Sequence, residues 1–165
     1  MDTEILSKYP ILQTKVNGLN YAYIKEGKGK PILFLHGFPD LATTWDRTIE
    51  ELSKNYCCIA PFLLGYYPTD IAKDGDYNPK RIAEDLVALM TQLGIDEFFV
   101  VGHDWGASVA YALANLCPEK VTKLVIEAIP HPSFIKPSLK LLFKARHFLA
   151  LRSERSSQFA KKGNY

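Results

Sequence analysis

The sequence predicts an α/β fold with a mainly parallel sheet and helices on both faces. Two observations predict it. Short apolar runs suited to strands alternate with segments of helical apolar spacing from residue 14 to residue 130. The runs at 31–35 and 98–101 are also continuously apolar, the pattern of strands covered on both sides. In such sheets chemistry gathers at the carboxyl ends of the strands. The junctions at His36, Asp104 and Glu127 are therefore the places to search.

The first element is a hairpin. Residues 14–16 and 19–23 flank Asn17-Gly18, a dipeptide that accepts positive φ at both central positions of a two-residue turn. A polar turn at 26–30 leads into the strand 31–35, which ends in His36-Gly37-Phe38-Pro39. Thr43 or Thr44 is expected to cap a helix reaching about Lys54, with Trp45, Ile49 and Leu52 on its buried stripe. Residues 57–63 read as the next buried strand, followed by a loop rich in Gly, Pro and Asp at 65–79. Asn78-Pro79 opens a second helix. On it Ile82, Leu86, Leu89, Met90 and Leu93 form one apolar stripe, and Gly94 stands where a C-terminal cap takes positive φ. Residues 98–101 are a third buried strand, running into Gly102-His103-Asp104-Trp105-Gly106 and an alanine-rich helix at 107–116. Residues 121–129 form a fourth, followed by Pro130-His131-Pro132.

Composition narrows the function classes. With 165 residues, 47% hydrophobic and 23% charged, the chain is no disordered segment, and one domain is expected. Its apolar runs stay near ten residues, short of the roughly 20 a spanning helix needs, so no membrane span is expected. The start, MDTEILSKYP, lacks the basic and apolar stretches of a secretion signal, and a cytoplasmic location is expected. Cys57, Cys58 and Cys117 show no ligand or redox spacing and read as buried thiols, with the adjacent pair facing opposite sides of its strand. No metal or cofactor is expected.

Charge divides the chain. Residues 1–130 carry 12 basic and 17 acidic side chains, whereas 131–165 carry eight basic and one acidic. The basic set, Lys136, Lys140, Lys144, Arg146, Arg152, Arg155, Lys161 and Lys162, lacks interleaved stacking residues and a phosphate motif. It reads as a solvated helix face and terminus, and no nucleic-acid partner is expected.

The chemistry-bearing turn is at Asp104. A strand, then G-x-D-x-G, then a helix is the layout that holds one residue on a tight turn above the sheet edge. Gly102 and Gly106 omit side chains where strand and helix close together, and the helix N-terminus aims N–H groups at developing negative charge. A carboxylate there suits attack on saturated carbon, as in epoxides and alkyl halides, and leaves an ester that water can hydrolyse.

Three segments, His36-Gly37-Phe38-Pro39, Gly102-His103-Asp104-Trp105-Gly106-Ala107 and Ile129-Pro130-His131-Pro132, in this order and spacing, resemble the epoxide hydrolase branch of the α/β-hydrolase superfamily. The similarity covers about residues 14–135. It implies residues 1–132 as an incomplete α/β-hydrolase core, the N-terminal part of that fold, and 133–165 as a basic segment that starts a lid or forms an atypical tail. It implies Asp104 as the nucleophile opening the epoxide to a covalent ester, with the backbone N–H groups of Phe38 and Trp105 as the oxyanion hole. The Phe38 and Trp105 side chains are expected to line an apolar pocket. His36, Gly37, Pro39 and His103 match the family's motif positions, with His36, His103 and His131 as hydrogen-bonded structural histidines. Glu127 resembles the position where some relatives place the acid that orients the catalytic histidine.

The departures matter as much. In the superfamily the order is nucleophile, acid, histidine, with the histidine after the last strand. Here the histidines after Asp104 are His131 and His147, neither in that place, and the tyrosines after it are Tyr111 and Tyr165, so the lid tyrosines are absent too. Where relatives carry a segment resembling D-x-R-G-Y-G, this chain reads Phe62-Leu63-Leu64-Gly65-Tyr66-Tyr67, which predicts a loosely packed loop. The expectation is an incomplete hydrolase acting on a small apolar epoxide or alkyl halide with little or no turnover. A haloalkane dehalogenase-like hydrolase and a non-catalytic remnant or binding module are the alternatives. A half-sheet also predicts an open edge available for self-association or a complementing fragment.

Overall fold

The computed structural model describes residues 7–131 and Ser133. The basic residues from Lys136 onward, His147 and Tyr165 lie outside them. The chain divides into two compact units, Met1–Pro130 and His131–Tyr165, and the architecture that follows is that of the first.

Among the described residues, six strands form one sheet. They are β1 (Ile11–Val16), β2 (Leu19–Glu26), β3 (Lys30–Leu35), β4 (Tyr56–Pro61), β5 (Phe98–His103) and β6 (Val121–Glu127), in the order β1-β2-β4-β3-β5-β6. The pairings β3/β4, β3/β5 and β5/β6 are parallel, whereas β1/β2 and β2/β4 are antiparallel. The expected hairpin is present, with φ of +50° at Asn17 and +84° at Gly18. Helices α1 (Asp46–Leu52), α2 (Pro79–Gln92) and α3 (Trp105–Leu116) complete the unit.

Strand alternation sorts the apolar runs into two cores. Leu33 and Leu35 of β3 join Ile59 and Val100 against Ile82, Leu86 and Leu89 of α2 and Val109 and Leu113 of α3. Ile32 and Phe34 face the other way, with Cys58 and Ala60, onto Trp45 and Ile49. Cys57 belongs to the first core and Cys58 to the second, so the adjacent thiols do face opposite sides. Burial pushes the thiols up, Cys58 to about 11, which keeps them un-ionised. At α2, the Asn78 side chain accepts from the Lys80 N–H (2.9 Å) and Pro79 takes the first helical position, as the sequence predicted.

Four expectations need correction. No threonine caps α1: a 3₁₀ turn, Ala42–Trp45, comes first, and neither it nor α1 has a side-chain cap. The tight turn delivers the Trp45 ring to Phe34, 5.2 Å between centroids, and that packing outweighs the local capping preference. β4 ends at Pro61 instead of reaching 63: Phe62 N–H still bonds the Ala22 carbonyl of β2, but the Leu63 N–H leaves the ladder for His36 Nε2. The loop that follows is not loosely packed, since Phe62, Leu63 and Leu64 are all buried and close the core where charged residues were expected. Finally, β6 ends at Glu127 and its middle residues are exposed, Val125 at 52%.

Candidate functional site

Asp104 stands between β5 and α3 with φ +50° and ψ −118°, a conformation costly for a residue with a Cβ. The glycines around it explain how the turn is held. A Cβ on Gly106 would lie 2.5 Å from the Leu35 carbonyl carbon and 2.6 Å from the His36 oxygen. On Gly102 it would meet the Gly106 oxygen at 2.7 Å. Only with both side chains missing can α3 press onto the ends of β3 and β5.

The loop after β3 reaches the same point. Phe38 N–H donates to Asp104 Oδ1 at 3.0 Å, and a Cβ on Gly37 would sit 2.5 Å from the Asp104 Cβ. The side chain of Asp104 thus lies directly over Gly37, at the N-terminus of α3. Trp105 contributes the first helical N–H, and its ring packs partly buried on the α2/α3 core, while the Phe38 ring is 47% exposed.

His36 is fully buried, and both ring nitrogens are occupied. Nε2 accepts from Leu63 N–H (3.1 Å), so the proton resides on Nδ1 and is donated to the Gly37 carbonyl (3.0 Å). Burial holds its pKa below the usual histidine range. The ring props the loop that carries Phe38 and does not reach the reacting space. Tyr66 stacks edge-on against it, centroids 4.7 Å apart, with its hydroxyl pushed up first by burial and then by the charges of Asp104 and Asp40. Tyr66 was not singled out from the sequence. The signal was available in Gly65-Tyr66, the part of that segment that keeps the family's pattern.

Glu127 arrives through the sheet. His103 pairs with it in the β5/β6 register, and its carbonyl accepts from the N–H groups of Asp104 (3.3 Å) and Ile129 (2.9 Å). Its backbone is therefore at the turn, while the residue itself is exposed. Tyr111 on α3 donates to the Ile129 carbonyl (3.1 Å), bracing the segment after β6, where Ala128 has φ +69°. His131 belongs to the second unit and hydrogen-bonds Ser133 through Nδ1 (2.6 Å). Among the described residues no cluster of three His, Cys, Asp or Glu is arranged to hold a metal, and no helix is long and apolar enough to cross a membrane. A cavity of about 290 Å³ lined by Lys30, Phe98, Phe99 and Lys123 lies at the amino ends of the strands, away from Asp104.

Comparison with known proteins agrees with this geometry. Residues 30–163 match the alpha/beta hydrolase fold family. Epoxide hydrolase 2 of Siraitia grosvenorii is 43% identical over 111 residues, covering 66% of this chain and 35% of that protein. Epoxide hydrolase 4 of Mus musculus is 33% identical over 131 residues, 78% of this chain and 36% of that protein. Among solved structures, an epoxide hydrolase of Vigna radiata superposes with a TM-score of 0.78 at 30% identity, covering 92% of this chain and 52% of that one. The ligand-free epoxide hydrolase CorEH gives 0.82 at 28% identity, with 93% and 56% covered. The chain thus spans about a third of the length of these curated relatives.

Proposed function

The chain belongs to the alpha/beta hydrolase fold family, and from that premise we propose that it reacts with epoxides through Asp104, in residues 1–132 as an incomplete hydrolase core followed by a basic segment, 133–165, that begins a lid or tail. The reading rests on one observation above all: a carboxylate on a strained turn, bonded by the Phe38 N–H and seated at a helix N-terminus. One Asp104 oxygen attacks an epoxide carbon, the ring C–O bond breaks, and the released alkoxide takes a proton from water. The product is an ester of Asp104.

The Phe38 and Trp105 N–H groups then stabilise the oxyanion formed when water adds to the ester carbonyl. Glu127 would orient a histidine base from the edge of the sheet, with Gly37, Pro39, His36 and His103 framing the site. That second step needs a base to deprotonate the water. His36, which props the Phe38 loop, is not that base because both of its ring nitrogens are occupied, and in this reading the ester accumulates with little or no turnover.

Incubation with styrene oxide followed by intact-mass measurement tests this reading. One covalent adduct on the wild-type chain, absent from Asp104→Asn and unaccompanied by catalytic diol formation, is expected. Sustained diol production would refute the claim of little turnover, and the absence of any adduct would remove Asp104 as nucleophile. Stoichiometric halide release from a bromoalkane, without reaction with the epoxide, would instead favour a haloalkane substrate.

A further inference from the structure

The Phe38 N–H that bonds Asp104 Oδ1 belongs to the same peptide group as the Gly37 carbonyl. That group is planar, so the direction of one end fixes the direction of the other. His36 holds the carbonyl end, its Nδ1–H donating to the Gly37 oxygen at 3.0 Å, and the N–H end then points at the carboxylate, also at 3.0 Å. Any rocking of the imidazole therefore turns the Phe38 N–H off Asp104.

Two hydrogen bonds do not by themselves stop that rocking. The bonds at Nδ1 and Nε2 both lie close to the ring plane, and hydrogen-bond angles are tolerant enough to let the ring tilt out of it. A third contact closes this freedom. Tyr66 meets the imidazole at 81°, with the centroids 4.7 Å apart, so its ring stands across the direction of the tilt.

Tyr66 is itself held by a turn fastened to β2. Its N–H donates to the Leu63 carbonyl (2.9 Å), and its carbonyl accepts from the Thr69 N–H (3.0 Å). Thr69 Oγ1 donates to the Phe62 carbonyl (2.7 Å) and accepts from the Ala22 N–H (3.0 Å). Asp70 donates its N–H to the Asn20 carbonyl (3.0 Å), while its carboxylate accepts from the Asn20 N–H (2.8 Å) and Nδ2 (3.1 Å). The aromatic ring is thus placed by bonds that do not involve the loop it steadies.

We propose that Tyr66 is a positioning residue: through the imidazole of His36 it fixes the peptide plane between Gly37 and Phe38, so that the Phe38 N–H holds one Asp104 oxygen and leaves the other free to attack. The consequence for reactivity rests on Asp104 acting as the nucleophile, whereas the fixing of the peptide plane does not.

Both parts are tested on the full chain. Tyr66→Leu and Tyr66→Met remove the ring but keep an apolar side chain against the core, Tyr66→Phe keeps the ring, and cooperative urea unfolding confirms that each is folded. Amide hydrogen exchange at Phe38 and Leu63, the two N–H groups that depend on the imidazole, is expected to speed up at least about tenfold in the two ring-free variants. It stays at the wild-type rate in Tyr66→Phe. The amides of Ala22 and Asp70, bonded by the turn itself, keep their protection in all three. Styrene oxide and intact-mass measurement give the second readout. Without the ring, the limiting rate of adduct formation falls about tenfold or more, and the half-saturating epoxide concentration changes by less than about twofold, because orientation is lost and binding is not. Tyr66→Phe forms the adduct at the wild-type rate.

Unchanged exchange at Phe38 in the ring-free variants, a loss shared equally by Ala22 and Asp70, or a failure of Tyr66→Phe to restore both readouts would each overturn the proposal. So would an unprotected Phe38 amide in the wild-type chain, or an undiminished adduct rate in the ring-free variants. A wild-type chain that shows the expected exchange pattern but forms no adduct would remove Asp104 as nucleophile and still support Tyr66 as the residue that fixes the peptide plane.

Discussion

Replacing Gly106 by alanine puts one methyl group into the contact between α3 and β3. The new Cβ would lie 2.5 Å from the carbonyl carbon of Leu35 and 2.6 Å from the His36 oxygen. Ordinary contact needs about 3.4 Å, so helix and strand must separate by about 1 Å. No flexible side chain can yield, because both neighbours are backbone in a central strand and its exit. Forced overpacking of this kind costs about 3 kcal/mol. With a urea slope of about 2 kcal/mol per molar, the unfolding midpoint falls by about 1.5 M. Trp45 and Trp105 provide the fluorescence signal. Gly94→Ala is the control: nothing lies within 4 Å of its Cβ, and only the left-handed φ of +70° is penalised, at about 1 kcal/mol. A loss at Gly106 no larger than that at Gly94 would refute the claim that close backbone approach builds this turn.

Three further outcomes are expected. Because burial holds the His36 pKa below its ordinary value of 6.5, the unfolded chain takes up the proton first. Stability is therefore fully present above that value and falls as the pH drops below it, by up to about 1.4 kcal/mol per pH unit, and His36→Gln flattens the dependence measured between pH 7 and 5.5. Tyr21 donates to the buried Asp85 at 2.9 Å, a carboxylate also bonded by Asn17 Nδ2 at 2.7 Å, and burial with that negative charge raises the Tyr21 pKa well above the tyrosine range. Tyr21→Phe removes one bond to a buried charge and is expected to lower unfolding stability by about 2 kcal/mol, against no change if the hydroxyl were idle. Asn78→Ala deletes the cap bond to Lys80 and should cost about 1 kcal/mol in the same assay, with an unchanged midpoint counting against the cap.

Much of the fold was legible because its signals are local. The Asn17-Gly18 turn, the apolar stripe of α2 from Ile82 to Met90, and the continuous strands around Leu33 and Val100 each follow from a period or a turn residue within one short window. So did the placing of Asp104 on a strand-to-helix turn, since two glycines at fixed spacing have few other uses. What the windows could not show were contacts between segments far apart in the chain. The early 3₁₀ turn at Ala42–Trp45 exists because Trp45 must meet Phe34. The apolar Phe62-Leu63-Leu64 looked like a weakened loop until its burial was seen. Tyr66 entered the site only through its stacking on His36.

By itself the sequence determined the α/β alternation, the glycine-flanked turn at Asp104, and the family the chain resembles. The tertiary structure decided which groups meet: Phe38 N–H on the Asp104 carboxylate, His36 locked between Leu63 and Gly37, and Glu127 delivered to the turn by its backbone. It also decided that, among the described residues, β6 comes last in the strand order with its middle residues exposed. The reason is physical. Periodicity records which face of an element is buried, whereas hydrogen bonds across 66 residues of sequence, such as that from Phe38 to Asp104, depend on strand order and register, which no single segment encodes.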